Sequence, residues 1–316
     1  MDGKNIDLLK AALRKRQPLL SLTNALRLVN GLGDGLSGLV LEQYNRHLVV
    51  QIFEKRWLIE KEALTDFVKE SCNGQYLIFK DRTESISAYP EAIKFTVGIE
   101  YDTSKTIVRE NGLNFGVDLN NTLNSGLFLD MRHNRKAVAR MSKGRKVLNC
   151  FAYTCSFGVY CRSAGALNVV NVDISRKSLS RGQANYELNQ IVPAANEFIR
   201  LNAVEYLKLA QKKDNRFDLI ILDPPSFARN AGKVFRVKKD LAGLMDAAIK
   251  VLNPRGILFA ATNFSGISYD NLGDLVKLAA GARRINKIQY LGQDKDFPGS
   301  GLVPESYLAC ALAEIR

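Results

Sequence analysis

Two kinds of apolar pattern alternate along the second half of the chain. Short continuous apolar runs indicate strands buried on both faces, whereas longer segments with an apolar residue every three or four positions indicate helices. The predicted strands are Lys146–Cys150, Val169–Asp173, Phe198–Asn202, Leu219–Asp223 and Gly256–Thr262. Helices are predicted between them, for example over 177–189 and 241–252. Strands that alternate with helices predict an α/β fold in which a parallel sheet carries helices on both faces.

The residues before 106 follow a different pattern, with glycine-rich turns between short apolar runs. The predicted elements are a short basic helix over 8–16, a β-rich stretch over 26–53, a helix over 58–70 and strands over 76–80 and 95–99. The chain is therefore predicted to have three parts. These are a basic N-terminal segment (1–24), a small α+β domain (25–105) and a larger domain (106–316) that begins with a hairpin over 106–129.

The turn Asp223-Pro224-Pro225-Ser226-Phe227 is the most informative local feature of the sequence. It follows a buried strand that the two prolines cannot continue, because proline has no N–H to give to a sheet. Open α/β sheets bind their ligands at the carboxyl ends of their strands. An acid, two rigid prolines and an aromatic residue at this place predict a stiff platform that holds a planar ring against a reacting group.

Other predicted strands also end in polar residues. Asp173 closes the second strand, where a carboxylate can accept hydrogen bonds from both hydroxyls of a ribose. Asn202 follows the third strand and is predicted to lie near an adenine. The turn after the first strand has Gly158 but no GxGxxG fingerprint, so a dinucleotide is disfavoured. A nucleoside cofactor without phosphates fits better, and S-adenosylmethionine is the common one.

Four segments together resemble one protein family, the class I S-adenosylmethionine-dependent methyltransferases that act on large-subunit rRNA, which include cytosine-C5 and guanine-N7 enzymes. The segments are 25–40, 125–135 (a GxFxDxRxxR-like stretch), 147–158 and 223–227 (DPPxF). The resemblance implies a Rossmann-like methyltransferase sheet preceded by a small α+β domain. The sequence departs from the family in two ways: Cys155 stands where a glycine is usual, and the family's RNA-binding PUA domain is not found before residue 25.

The resemblance also implies site residues. The cofactor-binding set is Asp130, Arg132, Phe151, Tyr153, Thr154, Asp173, Asn202 and Asp223. The residues that face the methyl group and the target base are Asp223, Pro224, Pro225 and Phe227.

A formal net charge of +13 favours a polyanionic partner, and nucleic acid is the usual one. The basic residues concentrate in two places, after residue 131 and directly after the Pro-Pro turn. The predicted RNA contacts are Arg135, Lys136, Arg229, Lys233 and Arg236. The expected partner is large-subunit rRNA or its precursor particle.

The sequence gives no indication of a metal site or a membrane span. Its five cysteines lack paired CxxC spacing, and their odd number without a secretory signal predicts reduced thiols. No apolar run approaches the length of a membrane-spanning helix. We therefore expect a cytoplasmic protein without a metal.

The target atom follows from the chemistry of the base. Cytosine C5 is methylated only after a cysteine thiolate has added to the ring. The resembling C5 enzymes carry that cysteine just after the fifth strand, where this chain has Asn263-Phe264-Ser265. A base nitrogen needs no thiolate, so guanine N7 is favoured, with an exocyclic amine as a further nitrogen target. The alternatives are cytosine-C5 methylation, a non-catalytic assembly factor, and a small-molecule methyltransferase or oxidoreductase.

Overall fold

The computed structural model divides into two compact units, which are described separately below. Unit 1 comprises Met1–Asp130 and Asp294–Ser306, and unit 2 comprises Met131–Gln293 and Tyr307–Arg316. The residues that the structure describes are 1–72, 74–84, 94–97, 106–120, 124–230, 233–299 and 307–316.

Unit 2 contains a seven-stranded mixed sheet, which confirms the predicted Rossmann-like fold. Its strands are β8 (Lys146–Cys150), β9 (Asn168–Asp173), β10 (Phe198–Arg200), β11 (Phe217–Leu222), β14 (Leu252–Thr262), β15 (Ile285–Leu291) and β16 (Ala309–Ile315). The strand order is β10-β9-β8-β11-β14-β16-β15. The first five strands in this order are parallel, and β16 runs antiparallel to both of its neighbours.

Six α-helices among the described residues of unit 2 accompany this sheet. They are α4 (Arg132–Arg140), α5 (Ser156–Ser163), α6 (Arg176–Leu188), α7 (Ala203–Lys212), α8 (Val237–Lys250) and α9 (Tyr269–Ala280). A hairpin, β12 (Phe227–Asn230) with β13 (Lys233–Arg236), lies between β11 and α8. None of the helices in the described part of the chain is both long and apolar enough to cross a membrane.

Strand β11 shows why helices cover both faces of the sheet. Successive side chains of a strand point to opposite faces, so a fully apolar strand needs a partner layer on each side. Ile220 and Leu222 pack in one apolar cluster with residues of α7, α8 and α9. Leu219 and Ile221 pack in a second cluster with residues of α4 and α5. The continuous apolar run in the sequence is the direct consequence.

The strand register places several turns at one edge of the sheet. Leu222, the last residue of β11, pairs with Cys150 of β8 and with Ala260 of β14. Cys150 in turn pairs with Val172 of β9, and Asp173 pairs with Arg200 of β10. The segments that follow these parallel strands therefore emerge side by side at the carboxyl edge.

Unit 1 contains a five-stranded sheet in the order β1-β2-β3-β4-β5. Its strands are β1 (Ala25–Asn30), β2 (Leu39–Tyr44), β3 (His47–Ile52), β4 (Tyr76–Asp81) and β5 (Lys94–Val97), and a separate hairpin pairs β6 (Thr106–Glu110) with β7 (Leu113–Val117). Its helices are α1 (Gly3–Arg16), α2 (Arg56–Ile59) and α3 (Lys61–Ser71).

The sequence-based domain boundaries differ from this division into units. Helix α1 begins earlier than predicted, because the Asp2 side chain accepts a hydrogen bond from the Asn5 N–H and caps it. Leu9 and Ala12 of α1 are buried in the core of unit 1, so the basic segment is not separate. The hairpin β6–β7 also belongs to unit 1, where Thr23 forms a β-bridge with Glu110.

A buried ion pair ties α1 to the chain around the first strand of unit 1. The Arg16 guanidinium donates to both carboxylate oxygens of Asp34, at 2.7 and 2.6 Å, and both side chains are 1% exposed. Arg16 also donates to the Asp296 carbonyl at 3.0 Å. Arg16 thus connects α1 with Asp34 and also with the segment around Asp296, which lies far away in the sequence.

We predict that Asp34→Ala lowers the free energy of unfolding by roughly 3–5 kcal/mol, because the variant leaves the Arg16 charge buried without its partner. Chemical denaturation measures this loss. Asp246→Ala is the matched control, since the Asp246–Lys250 pair is about half exposed and should contribute no more than about 1 kcal/mol. Equal losses in the two variants would contradict the prediction.

Candidate functional site

The turn between β8 and α5 has an unusual backbone. Phe151, Tyr153 and Cys155 have φ angles of 59°, 48° and 58°, which place all three in the left-handed region. Residues other than glycine rarely adopt this conformation, and each such residue costs roughly 1–3 kcal/mol. A glycine at position 155 would adopt this φ without strain. In this chain, surrounding contacts must hold the turn in place.

Strand β9 supplies the first of these contacts. The Ala152 N–H donates to the Val172 carbonyl at 3.0 Å, and the Tyr153 N–H donates to Asp173 Oδ2 at 2.8 Å. The other carboxylate oxygen of Asp173 accepts a hydrogen bond from the Ser175 N–H at 2.8 Å. Asp173 is partly exposed, so its oxygens retain lone pairs that can accept hydrogen bonds from a ligand.

A buried polar network underlies the same turn. Asn149 Nδ2 donates to Asn171 Oδ1 at 2.9 Å, and Asn171 Nδ2 contacts the Tyr186 hydroxyl at 2.9 Å. Burial raises the pKa of Tyr186, so its hydroxyl stays protonated. Because buried polar groups are costly without partners, this network fixes the relative positions of β8, β9 and α6.

Ile174 is a candidate ligand-contacting residue that the sequence analysis did not single out. It follows Asp173 directly, and its side chain is 48% exposed at the carboxyl edge of the sheet. An exposed aliphatic side chain beside an acid suits a ligand with a flat apolar ring and a hydroxyl-bearing sugar. The signal in the sequence was an apolar residue placed directly after an acid that ends a strand.

Asn202 has a structural role in addition to the predicted one. Its Oδ1 accepts hydrogen bonds from the Val204 and Glu205 N–H groups at 2.9 and 3.4 Å, which caps the first turn of α7. Asparagine is a favoured N-cap residue for this reason. The predicted position of Asn202 near an adenine stays a prediction, with Nδ2 as the group that can donate to a ring nitrogen.

The Asp223-Pro224-Pro225 turn lies at the carboxyl edge next to the turn at Phe151, as the register of β8 and β11 requires. Asp223 is partly exposed, Pro224 is buried and Pro225 is exposed. The Ser226 hydroxyl donates to Asn263 Oδ1 at 2.7 Å, which joins the Pro-Pro turn to the segment after β14.

The hairpin β12–β13 brings a second aromatic residue to this edge. The ring centroids of Phe235 and Phe151 are 6.2 Å apart. The hairpin was not predicted, because its strands lie within a run of basic residues that resembles a surface loop. The backbone of Phe227 begins this hairpin, and the Phe227, Arg229 and Lys233 side chains lie outside the described residues.

The predicted residues at the start of α4 differ in exposure. Asp130 is partly exposed at the end of the first segment of unit 1, and Arg132 is buried near the start of unit 2. Arg135 is only 1% exposed, and its guanidinium lies 5.8 Å from the centroid of the Tyr160 ring. Lys136 is exposed. Arg135 therefore packs inside unit 2 and does not form part of an RNA-facing surface, whereas Lys136 does lie on the surface.

All five cysteines lie within the described residues as free thiols. Burial raises the pKa of Cys150 and of Cys155, and the nearby Asp173 carboxylate adds to the effect at Cys155. Burial raises the pKa of Cys161 to about 12 and that of Cys72 to about 11. Cys310 is also buried. Because the thiolate is the nucleophilic form, the raised pKa values of Cys72, Cys150, Cys155 and Cys161 disfavour their use as nucleophiles.

A family model described as S-adenosylmethionine-dependent methyltransferase matches residues 46–306. The chain belongs to this family. YwbD of Bacillus subtilis, a candidate ribosomal RNA large subunit methyltransferase, is 33% identical over 297 residues, which cover 92% of this chain and 75% of that protein. The ribosomal RNA large subunit methyltransferase I of Aeromonas salmonicida is 31% identical over 309 residues, 95% of this chain and 77% of that protein.

The solved structures agree with this assignment. The crystal structure of SMU.776 complexed with SAH is similar at a TM-score of 0.86 and 26% identity, over 98% of this chain and 80% of that chain. SAH, S-adenosylhomocysteine, is the product of the methyl donor S-adenosylmethionine. The predicted enzyme class and cofactor are therefore confirmed: the chain is an S-adenosylmethionine-dependent methyltransferase.

The side chains at the carboxyl edge are chemically suited to the ribose and the adenine of this methyl donor. The partly exposed Asp173 carboxylate suits a ribose diol, and the exposed Ile174 side chain suits the face of an adenine. The turn at Phe151 and the acid Asp223 lie at the same edge. No phosphate is present in this cofactor, which agrees with a turn that lacks a glycine-rich fingerprint.

We predict that Asp173→Ala weakens the binding of S-adenosylhomocysteine by at least about tenfold, which corresponds to 1.4 kcal/mol. The variant loses the predicted ribose acceptor and also the acceptor for the Tyr153 N–H. Isothermal titration calorimetry measures the effect, with Asp246→Ala as a control for the removal of an acid from unit 2. Unchanged affinity in Asp173→Ala would show that the cofactor does not use this edge.

Proposed function

We propose that this methyltransferase modifies a base nitrogen of large-subunit rRNA, with guanine N7 as the favoured atom. The names of the Bacillus and Aeromonas relatives support rRNA as the substrate. The net charge of +13 supports a polyanionic substrate independently. In this proposal the residues after β8 and β9 hold the cofactor, and the Asp223-Pro224-Pro225 turn holds the base.

One observation carries the choice of nitrogen over carbon: none of the five cysteines has an exposed side chain. Cytosine C5 becomes nucleophilic only when a thiolate adds to C6. The four cysteines of unit 2 are all buried, and Cys72 lies in unit 1 with its pKa raised to about 11. The segment after β14, Asn263-Phe264-Ser265, contains no cysteine. A base nitrogen, by contrast, already carries the lone pair that is needed.

The residues of the Pro-Pro turn act by positioning. Asp223 and the prolyl carbonyl can accept hydrogen bonds from an amino group of the base, and the prolines keep these acceptors in a fixed place. The bound cofactor supplies a methyl group on a positively charged sulfur. Guanine N7 loses no proton on methylation, so alignment of its lone pair with that methyl group can provide about 7–11 kcal/mol in favourable cases.

The exposed basic residues of unit 2 give the RNA a surface to bind. Lys136 and Arg140 are exposed on α4, and Arg236, Lys238 and Lys239 are exposed at the start of α8, after the Pro-Pro turn. Each lysine or arginine that contacts a phosphate releases counterions, so its contribution depends on salt. Such contacts fix the position of the RNA on the protein, whereas the target base is selected by contacts at the site itself.

The reaction is tested with protein-free large-subunit rRNA and S-adenosylmethionine that carries a labelled methyl group. We expect label in 7-methylguanosine or an amino-methylated base when the product nucleosides are identified by mass spectrometry. Asp223→Ala should lower kcat by at least about tenfold, because it removes an acceptor that orients the base. Label in 5-methylcytidine would overturn the nitrogen assignment.

A second measurement addresses the thiol directly. RNA that contains 5-fluorocytidine forms a lasting adduct with an enzyme that attacks through a cysteine, because the fluorine blocks the final elimination. We expect no covalent complex with the wild-type chain on a denaturing gel. A complex that disappears in one Cys→Ala variant would identify a nucleophile and contradict the proposal. If the protein binds the cofactor but transfers no methyl group to any RNA or ribosomal particle, the assembly-factor alternative is favoured.

The RNA surface is tested through the salt dependence of binding. Lys136→Ala should weaken RNA binding at all sequences alike and reduce the slope of log K against log salt by about one, the value for one lost phosphate contact. Lys212→Ala is the control, because Lys212 is exposed at the far end of α7. Equal slopes for the two variants would exclude Lys136 from the interface.

A further inference from the structure

The left-handed turn after β8 is supported from two sides, by strand β9 and by helix α6. Strand β9 holds the first half of the turn through the Val172 carbonyl and the Asp173 carboxylate. The second half, Thr154 and Cys155, makes its contacts with helix α6. Thr154, one of the predicted cofactor-binding residues, and Cys155 are both buried.

Helix α6 contacts the turn through two positions. Asn185 Nδ2 donates to the Thr154 carbonyl at 2.9 Å, and Asn185 is itself buried. Gly182 leaves a gap that the Cys155 side chain fills: a Cβ at position 182 would overlap the Cys155 Sγ atom and would lie 2.9 Å from the Cys155 Cβ. Residues three positions apart lie on the same face of a helix, so Gly182 and Asn185 act on the turn together.

From this arrangement we infer that Cys155, Gly182 and Asn185 form a lock that holds the turn in its cofactor-binding conformation. Gly182 and Asn185 are positioning residues that act through the backbone of 151–155. A glycine at position 155 would adopt this left-handed backbone without strain. Cys155 keeps the same backbone because its buried side chain packs against Gly182 of α6. The inference rests on the proposed placement of the cofactor at this turn.

Helix α6 also fixes the position of Asp173 relative to the turn at 151–155. The Ser175 side chain accepts a hydrogen bond from the Ser178 N–H and caps α6, and the Ser175 N–H donates to Asp173. One helix is therefore joined at its start to the ribose-binding acid and along its length to the turn. A shift of α6 would displace both groups, so we expect its effect to fall on cofactor affinity.

The test compares glycine-to-alanine variants by calorimetric binding of S-adenosylhomocysteine and by thermal melting of the cofactor-free protein. Gly182→Ala should weaken binding by at least about tenfold, or 1.4 kcal/mol, because the new methyl group displaces Cys155. Gly243→Ala is the matched control, since Gly243 lies inside α8 and a Cβ there meets nothing within 4 Å. This control should bind as the wild type does.

The double variant Gly182→Ala with Cys155→Gly makes the test specific. Removal of the Cys155 side chain gives the new methyl group its space, and glycine keeps the left-handed φ without strain. We expect the double variant to recover affinity to within about threefold of wild type, or less than 1 kcal/mol. Unchanged binding by Gly182→Ala alone, or no recovery in the double variant, would overturn the lock.

Asn185 provides a test that does not depend on whether Gly182→Ala folds. Asn185→Asp keeps the shape but turns the donor toward Thr154 into an acceptor, so binding should weaken by at least about tenfold. Gln183→Glu makes the same chemical change at an exposed position of α6 and should leave binding unchanged. Equal affinities for these two variants would overturn the role of Asn185.

The outcomes also separate the lock from the site itself. If the wild-type chain does not bind S-adenosylhomocysteine, both the proposed cofactor site and the lock are wrong. If the wild type binds and Gly182→Ala only lowers the melting temperature, then α6 contributes to packing alone and the lock is wrong while the site stands. A raised KM for S-adenosylmethionine with little change in kcat would agree with a positioning role.

Discussion

The placement of unit 2's functional groups depends on one constraint, the left-handed backbone of the turn after β8. Phe151, Tyr153 and Cys155 all have positive φ angles, and none of them is a glycine that would adopt them freely. The strained backbone persists because a strand, a carboxylate and a helix each fix part of it. Strain that is held in this way is typical of binding sites that are already formed before the ligand arrives.

The parallel sheet brings this turn close to the other residues of the proposed site. Because β8, β9, β11 and β14 run in the same direction and in register, the segments that follow them share one edge. An acid, an exposed aliphatic residue, a rigid Pro-Pro turn and two aromatic rings thereby lie on neighbouring segments. The proposed methyl transfer to a nitrogen would require little more than alignment, which rigid neighbouring segments can provide.

The fold of unit 2 was predictable from the sequence because its signal is local. A strand buried on both faces must be apolar throughout, and Leu219–Leu222 shows this directly. The acid Asp173 and the Pro-Pro turn were recognisable for a similar reason, since they interrupt or end such runs. The positive φ angles were not predictable, because they arise from hydrogen bonds to β9 and α6 and not from the residue types.

Other features depended on contacts between distant residues. Arg135 looked like a surface charge, yet it packs over Tyr160, and nothing in its neighbours along the chain indicates this. The segment around Asp296 belongs to unit 1. The Asp296 side chain accepts a hydrogen bond from the Arg27 N–H. That contact spans 269 residues, so no local pattern could predict it. Ile174 was recognisable only after the strand end had been placed.

The most direct test of this account is a pair of crystal structures, one without ligand and one with S-adenosylhomocysteine. The account predicts that the ribose hydroxyls bind Asp173, that the adenine packs on Ile174, and that Phe151, Tyr153 and Cys155 keep positive φ angles in both structures. A ligand bound at another edge, or a turn that adopts ordinary φ angles until the ligand arrives, would contradict it.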